Sequence, residues 1–348
     1  MDRNTTYAAI NTKTSAMLGK LLTVEDYKKI LSLKNPSEIA TYLKSNTAYK
    51  ELFNGMDTSK MHRDEIEVVL KRCLVEYMDK LMHHFNGQYK EFFKCFYIKH
   101  EIVDLKRAAR LIHIDKDFRA LKNNLVFAGK YKYIDMDKVV QAKDINQLIE
   151  ALNGTIYYPF LKNLIDGNTK ESLYRFEMSL DRACFTILGD KAKKLPLEDK
   201  KIVEELFGSH IDMLNLRWIY RGKKYYDLSS EEVFNYSIMD GYAFKYKKLK
   251  DFCYAANEEE FIKKALETPY GFMFKGDSES DIYMERRMNR YLYFKYKSKK
   301  QRYSLNIAAV LVYLELIEFE IRDIISMIET VRYEMNYEDG KKYLIKAI

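Results

Sequence analysis

Two short patterns recur three times along this 348-residue chain, and their shared period of about 110 residues constrains the fold more than any other feature. The first pattern reads NPSEIATYLKSNTAY at 35–49, DINQLIEALNGTIY at 144–157 and NEEEFIKKALETPY at 257–270. Each copy opens with a capping pair: Asn35 with Glu38, Asp144 with Gln147, Asn257 with Glu260. The first side chain accepts from the amide three residues on, and the fourth residue reaches back to the amide of the first, which starts a helix. Each copy closes on Thr-x-Tyr: Thr47 and Tyr49, Thr155 and Tyr157, Thr268 and Tyr270. The threonines are separated by 108 and 113 residues.

The second pattern follows each threonine and places an acid three residues before Asp or Asn in an amphipathic helix. The acids are Glu101, Asp212 and Glu320, and the second positions are Asp104, Asn215 and Asp323. The acids are 111 and 108 residues apart. Two independent patterns on one period predict three homologous helical-bundle domains, 1–113, 114–225 and 226–348, each of ordinary domain size. Glycine (13) and proline (4) are scarce, which disfavours turn-rich sandwiches and points to an all-α chain. Ile317, Ile321, Ile324 and Ile328 fall on one helical face, and Thr23–Asp26 and Ser229–Glu232 are further helix starts. Loops are expected near Gly167-Asn168, Lys194 to Leu197, Gly222 and Gly276-Asp277. The joins between domains lack Gly/Ser linkers and predict a fixed arrangement.

Chemistry-bearing motifs are scarce. No P-loop, GxGxxG, GxSxG or HExxH occurs. His83 and His84 are adjacent and point to different helix faces, so they do not chelate one ion. Cys73, Cys95, Cys184 and Cys253 form no CxxC and read as reduced, buried thiols. No catalytic, cofactor or metal residues are expected. The acid pairs put two polar groups on one helix face, as a ligand shell would, or as a repeated packing hydrogen bond would; repetition in all three domains favours packing. The start MDRNTTYAAI has no apolar core of a signal peptide. The longest uncharged apolar stretch, 303–314, is 12 residues and is too short for a membrane span.

Net charge is +8, spread as +5, +4 and −1 over the three thirds, with no basic tail. The densest basic segment is RRMNRYLYFKYKSKKQRY, with Arg286, Arg287, Arg290, Lys295, Lys297, Lys299, Lys300 and Arg302 among interleaved tyrosines. It reads as a solvated face with inward tyrosines, as a protein or membrane-surface contact, or as a single-stranded nucleic-acid platform over 286–303. YAFKYKKLK at 242–250 repeats that composition more weakly.

The chain resembles the C subunit family of archaeal and bacterial V/A-type ATPases, the counterpart of the d subunit in vacuolar ATPases. Tyr7-Ala-Ala-Ile, the segment Leu21 to Tyr27, the Thr-Ala-Tyr49 turn, and the segment Ile211 to Gly222 followed by Tyr226 to Glu232 carry the resemblance. The third copy, Glu318 to Asp323, fits the family's Glu-x-x-Asn with Asp in place of Asn, and Asp104 departs in the same way. The resemblance implies a pseudo-threefold funnel of three helical domains. It implies a non-catalytic rotor subunit that couples the central stalk to the membrane rotor ring of an ion-translocating ATPase and transmits torque. Its partners would be central-stalk subunits and the ring proteolipid. It would need no cofactor and no nucleic acid, and would lie in the cytoplasm, peripheral to the cytoplasmic face of the membrane. The basic segment 286–302 would then serve an interface.

Overall fold

The computed structural model describes residues 3–114, 131–165, 172–226, 228–275, 280–300 and 306–346. Every regular element among them is helical, and no strand occurs. The helices are α1 (Arg3–Leu18), α2 (Val24–Leu31), α3 (Pro36–Asn46), α4 (Arg63–Met82), α5 (Gly87–His113), α6 (Met136–Val139), α7 (Ile145–Ala151) and α8 (Tyr158–Leu161). They continue as α9 (Ser172–Ala192), α10 (Leu197–Tyr225), α11 (Ser230–Tyr236), α12 (Tyr246–Cys253), α13 (Glu258–Leu266), α14 (Ser280–Lys300), α15 (Ala308–Arg332) and α16 (Tyr337–Lys342). The expected loops at Gly167-Asn168 and Gly276-Asp277 lie outside the described residues.

The chain divides into two compact units. One joins both ends of the chain, residues 1–85 and 281–348; the other is the continuous stretch 86–280. The expected boundaries at 113/114 and 225/226 fall at the C-terminal ends of α5 and α10. In the unit of the chain ends, α15 is the hub: α1, α2, α3, α4 and α16 all pack on it. Its apolar residues run round most of its circumference, and Ile317, Ile321, Ile324 and Ile328 are all buried. An all-round apolar helix belongs inside a bundle. In the central unit, α9 lies between α5 and α10; α7 packs on α5, and α11, α12 and α13 pack on α10.

The three capping pairs form with a shared departure from expectation. The amides of Glu38, Gln147 and Glu260 donate to Asn35, Asp144 and Asn257 at 2.9, 2.8 and 2.9 Å. The returning side chains, however, accept from Lys34, Lys143 and Ala256, one residue before the cap. The caps are fully extended, with φ of −154°, −143° and −151°, which turns their own amides away. Where the cap has a tighter φ, at Thr23 (−78°) and Ser229 (−63°), the reciprocal box closes as expected.

Gly222 is not in a loop. It lies in the last turn of α10, where Leu228 and Val233 approach its Cα so closely that an added methyl would sit 3.2 Å from Val233. The glycine there answers packing rather than a turn.

Candidate functional site

The two repeated patterns meet each other. In each copy the threonine hydroxyl donates to a carbonyl at the end of the preceding helix: Thr47 to Leu43, Thr155 to Leu152, Thr268 to Ala265, at 2.6, 2.6 and 2.7 Å. The same oxygen accepts the amide of the tyrosine two residues on, at 3.2, 3.3 and 3.2 Å. Threonine thus ends the helix and sets the tyrosine's direction, by the local side-chain-to-backbone bonding that short hydroxyl residues favour. Tyr49, Tyr157 and Tyr270 are fully buried, and each phenol donates to a buried acid.

The pairing runs opposite to the order of the chain. Tyr157 donates to Glu101 on α5 at 2.5 Å, and Tyr270 to Asp212 on α10 at 3.0 Å. Tyr49, in the first copy, donates to Glu320 on α15, in the last, at 2.8 Å. Each tyrosine therefore closes on the acid of the preceding copy, and the first copy closes on the third.

Each acid also gathers backbone amides from the segment before a short helix. Glu101 accepts from Tyr133 (2.7 Å) and Ile134 (3.1 Å), ahead of α6. Asp212 accepts from Ala243 (2.6 Å) and Phe244 (3.1 Å), ahead of α12. Glu320 accepts from Leu22 (2.7 Å), ahead of α2. At Asp212 the segment comes so near that an added methyl on Gly241 would sit 2.1 Å from the carboxylate, so only glycine fits.

The second positions differ by chemistry. Asn215 uses both ends of its amide, donating to the Ile238 carbonyl at 2.8 Å and accepting the Ile238 amide at 3.0 Å. Asp323 has no donor, and its site supplies three: the amides of Ile345 (2.6 Å) and Lys346 (2.9 Å) and the phenol of Tyr27 (3.2 Å). Asp104 is buried and lies 3.6 Å from Arg107. Lys346 completes the third clasp: its ammonium donates to the Leu22 carbonyl at 2.6 Å and lies 4.6 Å from the Tyr27 ring centre. Tyr27, Lys346 and the amide of Leu22 carry no repeated signal in the sequence, and only the fold reveals them.

Burial raises the carboxyls despite these donors. Glu320 is pushed up to about 7, and Asp323 and Asp212 each to about 6, by desolvation. Burial raises Glu101 as well. The phenols of Tyr27 and Tyr49 are held far above their usual range by burial and by the carboxylates beside them. Amide and phenol donors saturate these acids, so the arrangement suits holding segments together. The four cysteines are free and buried, and burial pushes Cys95 and Cys184 up to about 12. Among the described residues no three His, Cys, Asp or Glu side chains gather in a metal-holding arrangement. No helix among them is long and apolar enough to cross a membrane.

The basic segment forms α14, but its charges do not share a face. At about 100° per residue, Arg286, Arg290 and Lys297 fall on one side and Lys295 and Lys299 on the other. Lys299 is buried, and Arg290 donates to the Ile345 carbonyl at 3.2 Å. Arg286 stacks on Tyr283 at 5.0 Å, and Lys295 and Lys297 lie over Tyr291 and Tyr293. Arg287 is half-buried; Tyr296 is buried and meets Phe319 edge-on. Arg302 and the side chain of Lys300 lie outside the described residues.

Residues 10–343 match the family model described as ATP synthase (C/AC39) subunit. The chain is similar to the C subunit of the A-type ATP synthase of Methanosarcina mazei, 26% identical over 289 residues, which covers 82% of this chain and 78% of that protein. It is 24% identical to the C subunit of the A-type ATP synthase of Thermococcus kodakarensis over 344 residues, covering 98% of this chain and 90% of that one. With the protein of the same description from Methanococcoides burtonii it shares 23% identity over 312 residues, 88% of this chain and 85% of that one.

Proposed function

The chain belongs to the ATP synthase (C/AC39) subunit family, and from that premise we propose that it is a non-catalytic rotor subunit of a V/A-type ion-translocating ATPase. In this reading it sits at the cytoplasmic face of the membrane, between the central stalk and the proteolipid ring, and passes torque from one to the other. We read 1–113, 114–225 and 226–348 as its three covalent repeats.

The observation that carries the reading is the cycle of clasps. Each repeat gives its Thr-x-Tyr turn to the acid helix of the repeat before it, and Tyr49 on Glu320 returns the cycle to its start. A torque adaptor has to keep its segments from slipping past one another under load. Buried hydrogen bonds to carboxylates serve that end because breaking one strands a donor and an acceptor away from water. The membership of the family and the absence of nucleotide-binding motifs from the sequence support a mechanical rather than a chemical part.

The test is to purify the ATPase from its own source with and without this chain. Removing the chain is expected to leave ATP hydrolysis by the catalytic head and abolish ATP-driven ion transport, with transport restored when the purified chain is added back. The isolated chain should hydrolyse no ATP. Ion transport that persists without the chain, or a tagged chain that recovers nucleic acid instead of ATPase subunits from gently solubilised membranes, overturns the reading.

A further inference from the structure

The helix that follows each clasp occurs three times, as α2, α6 and α12, and the three differ in charge. The first two obey the electrostatics of a helix start. Thr23 caps α2, with Glu25 and Asp26 in its first turn; Asp135 caps α6, with Asp137 in its first turn. Acids there meet the positive end of the helix dipole. The third breaks the rule. Lys245 holds the cap position of α12 and makes no side-chain cap bond, the first turn has no acid, and Lys247 and Lys248 occupy it. Lys245 donates instead to the Gly241 carbonyl at 2.7 Å. A local rule broken in one of three copies marks a place where something other than stability selected the residues.

What the exception yields is a surface. Lys245, Lys247, Lys248 and Lys250 are all exposed. Tyr242, Tyr246 and Tyr254 stand among them at 51%, 59% and 44% exposure, unusually open for such large rings. The surface is built rather than loose. Phe234 meets Tyr246 and Tyr254 edge-on at 5.3 and 6.4 Å between ring centres, and Lys250 lies 5.2 Å over Tyr254. Leu249, Phe252 and Cys253 anchor the other side of α12 in the core. Among the described residues no acid forms an ion pair with Lys247 or Lys250.

We propose that the lysine and tyrosine face of α12 is a docking surface for a carboxylate-rich face of another protein subunit of the same ATPase, an assignment that rests on the functional reading above. Charge complementarity requires an anionic occupant, and the surroundings select a protein over a phosphate polymer or a lipid surface. Asp251 lies 3.9 Å from Lys248, and the carboxylate of the exposed Glu231 stands near the Tyr254 phenol, so acids punctuate the patch. A nucleic-acid strand or a lipid headgroup layer would meet those acids as well as the lysines. A protein can set its carboxylates against Lys247 and Lys250 and apolar atoms against the tyrosine rings, and exposed tyrosines are favoured at such interfaces.

The test uses the whole purified ATPase and the full-length chain. Carbodiimide coupling joins a lysine amine to a carboxylate with no spacer and so reports direct ion pairs. Mass spectrometry of the coupled complex is expected to find Lys247 or Lys250 joined to an Asp or Glu of another subunit. The variant K247E/K248E/K250E should rebind ATPase depleted of this chain roughly tenfold or more weakly at moderate salt. The variant K247R/K248R/K250R should rebind like the wild type, and both should melt as the wild type does. If the chain is present in the ATPase, yet its α12 lysines couple to no other subunit and the Glu variant rebinds normally, the inference falls and the functional reading stands. If the chain is absent from the ATPase, the functional reading falls first. Binding of a single-stranded oligonucleotide or of vesicles with anionic phospholipid that the Glu variant loses would also overturn it, since the occupant would then be a phosphate.

Discussion

The clasps at Asp212 and Glu320 perform one task with different means. At Asp212 every partner is near in sequence: Ala243, Phe244 and Tyr270 follow within 58 residues. At Glu320 the partners Leu22 and Tyr49 stand 298 and 271 residues away, at the other end of the chain. Closing the longer loop costs roughly 1.5–2 kcal/mol more in chain entropy, since that cost grows only with the logarithm of length. The seam has more bonds to set against it. Asp323 takes three donors where Asn215 makes two bonds, and Lys346 adds a bond to Leu22 and a contact with the Tyr27 ring. Where the chain itself joins the parts, a lean clasp suffices; where it does not, hydrogen bonds replace connectivity.

The sharpest way to break the comparison is to remove each acid. Glu320→Ala leaves the Tyr49 phenol and the Leu22 amide buried without a partner, and should cost about 4 kcal/mol in guanidinium unfolding. Hydrogen exchange in the same variant should lose protection at both chain ends, around 20–27 and 343–346. Asp212→Ala should loosen only the stretch around 241–244 and Tyr270. Equal, local loosening in the two variants would refute a special seam.

The second positions test whether Asp and Asn are interchangeable. Asp323→Asn turns an NH2 group toward a donor-only site, and Asn215→Asp sets a carboxylate oxygen against the Ile238 carbonyl. Each should cost about 2–3 kcal/mol by thermal or denaturant unfolding. A neutral outcome at either site would mean that the carboxylate and amide networks rearrange freely.

Dependence on pH comes next, at roughly 3 kcal/mol across the window. Folding raises the Glu320 carboxyl from 4.5 to about 7, so the native state binds more protons than the unfolded chain between those values. Stability from this group is therefore fully present at and below about pH 4.5 and is lost as pH rises through about 7. Asp323 and Asp212 act in the same sense up to about 6. The stability of the wild type relative to Glu320→Gln should accordingly fall as pH rises across that range. A difference that grows with pH would reverse the sign assigned to burial.

The smallest effects are those of Tyr49→Phe, Tyr157→Phe and Tyr270→Phe. Each removes one hydrogen bond and keeps the ring, for about 1 kcal/mol apiece. Tyr49→Phe should be the most costly, because its acceptor lies in the seam.

Much of this was legible in the residues. Capped starts, scarce glycine and proline, and two patterns on one period led to an all-α chain built on a recurring unit. The same patterns held the hydrogen-bonded pairs, since Thr-x-Tyr and the buried acids proved to be the two halves of each clasp. Their pairing was not legible. Tyr157 lies 56 residues after Glu101 and 55 before Asp212, so spacing alone cannot say which acid it meets. The basic run at 286–302 drew notice by composition, yet the helix turns its charges to opposite sides and buries Lys299.

The sequence by itself determined the local events: where helices begin, where threonine ends them, and which acids and tyrosines recur. These follow from bonds between residues two to four apart, which short-range chemistry decides. Only the tertiary structure decided which acid each tyrosine closes on, that the two ends of the chain share one clasp, and that Lys346, Tyr27 and the Leu22 amide complete it. Those choices depend on which buried donors the packing brings to each carboxylate, and no spacing along the chain encodes that.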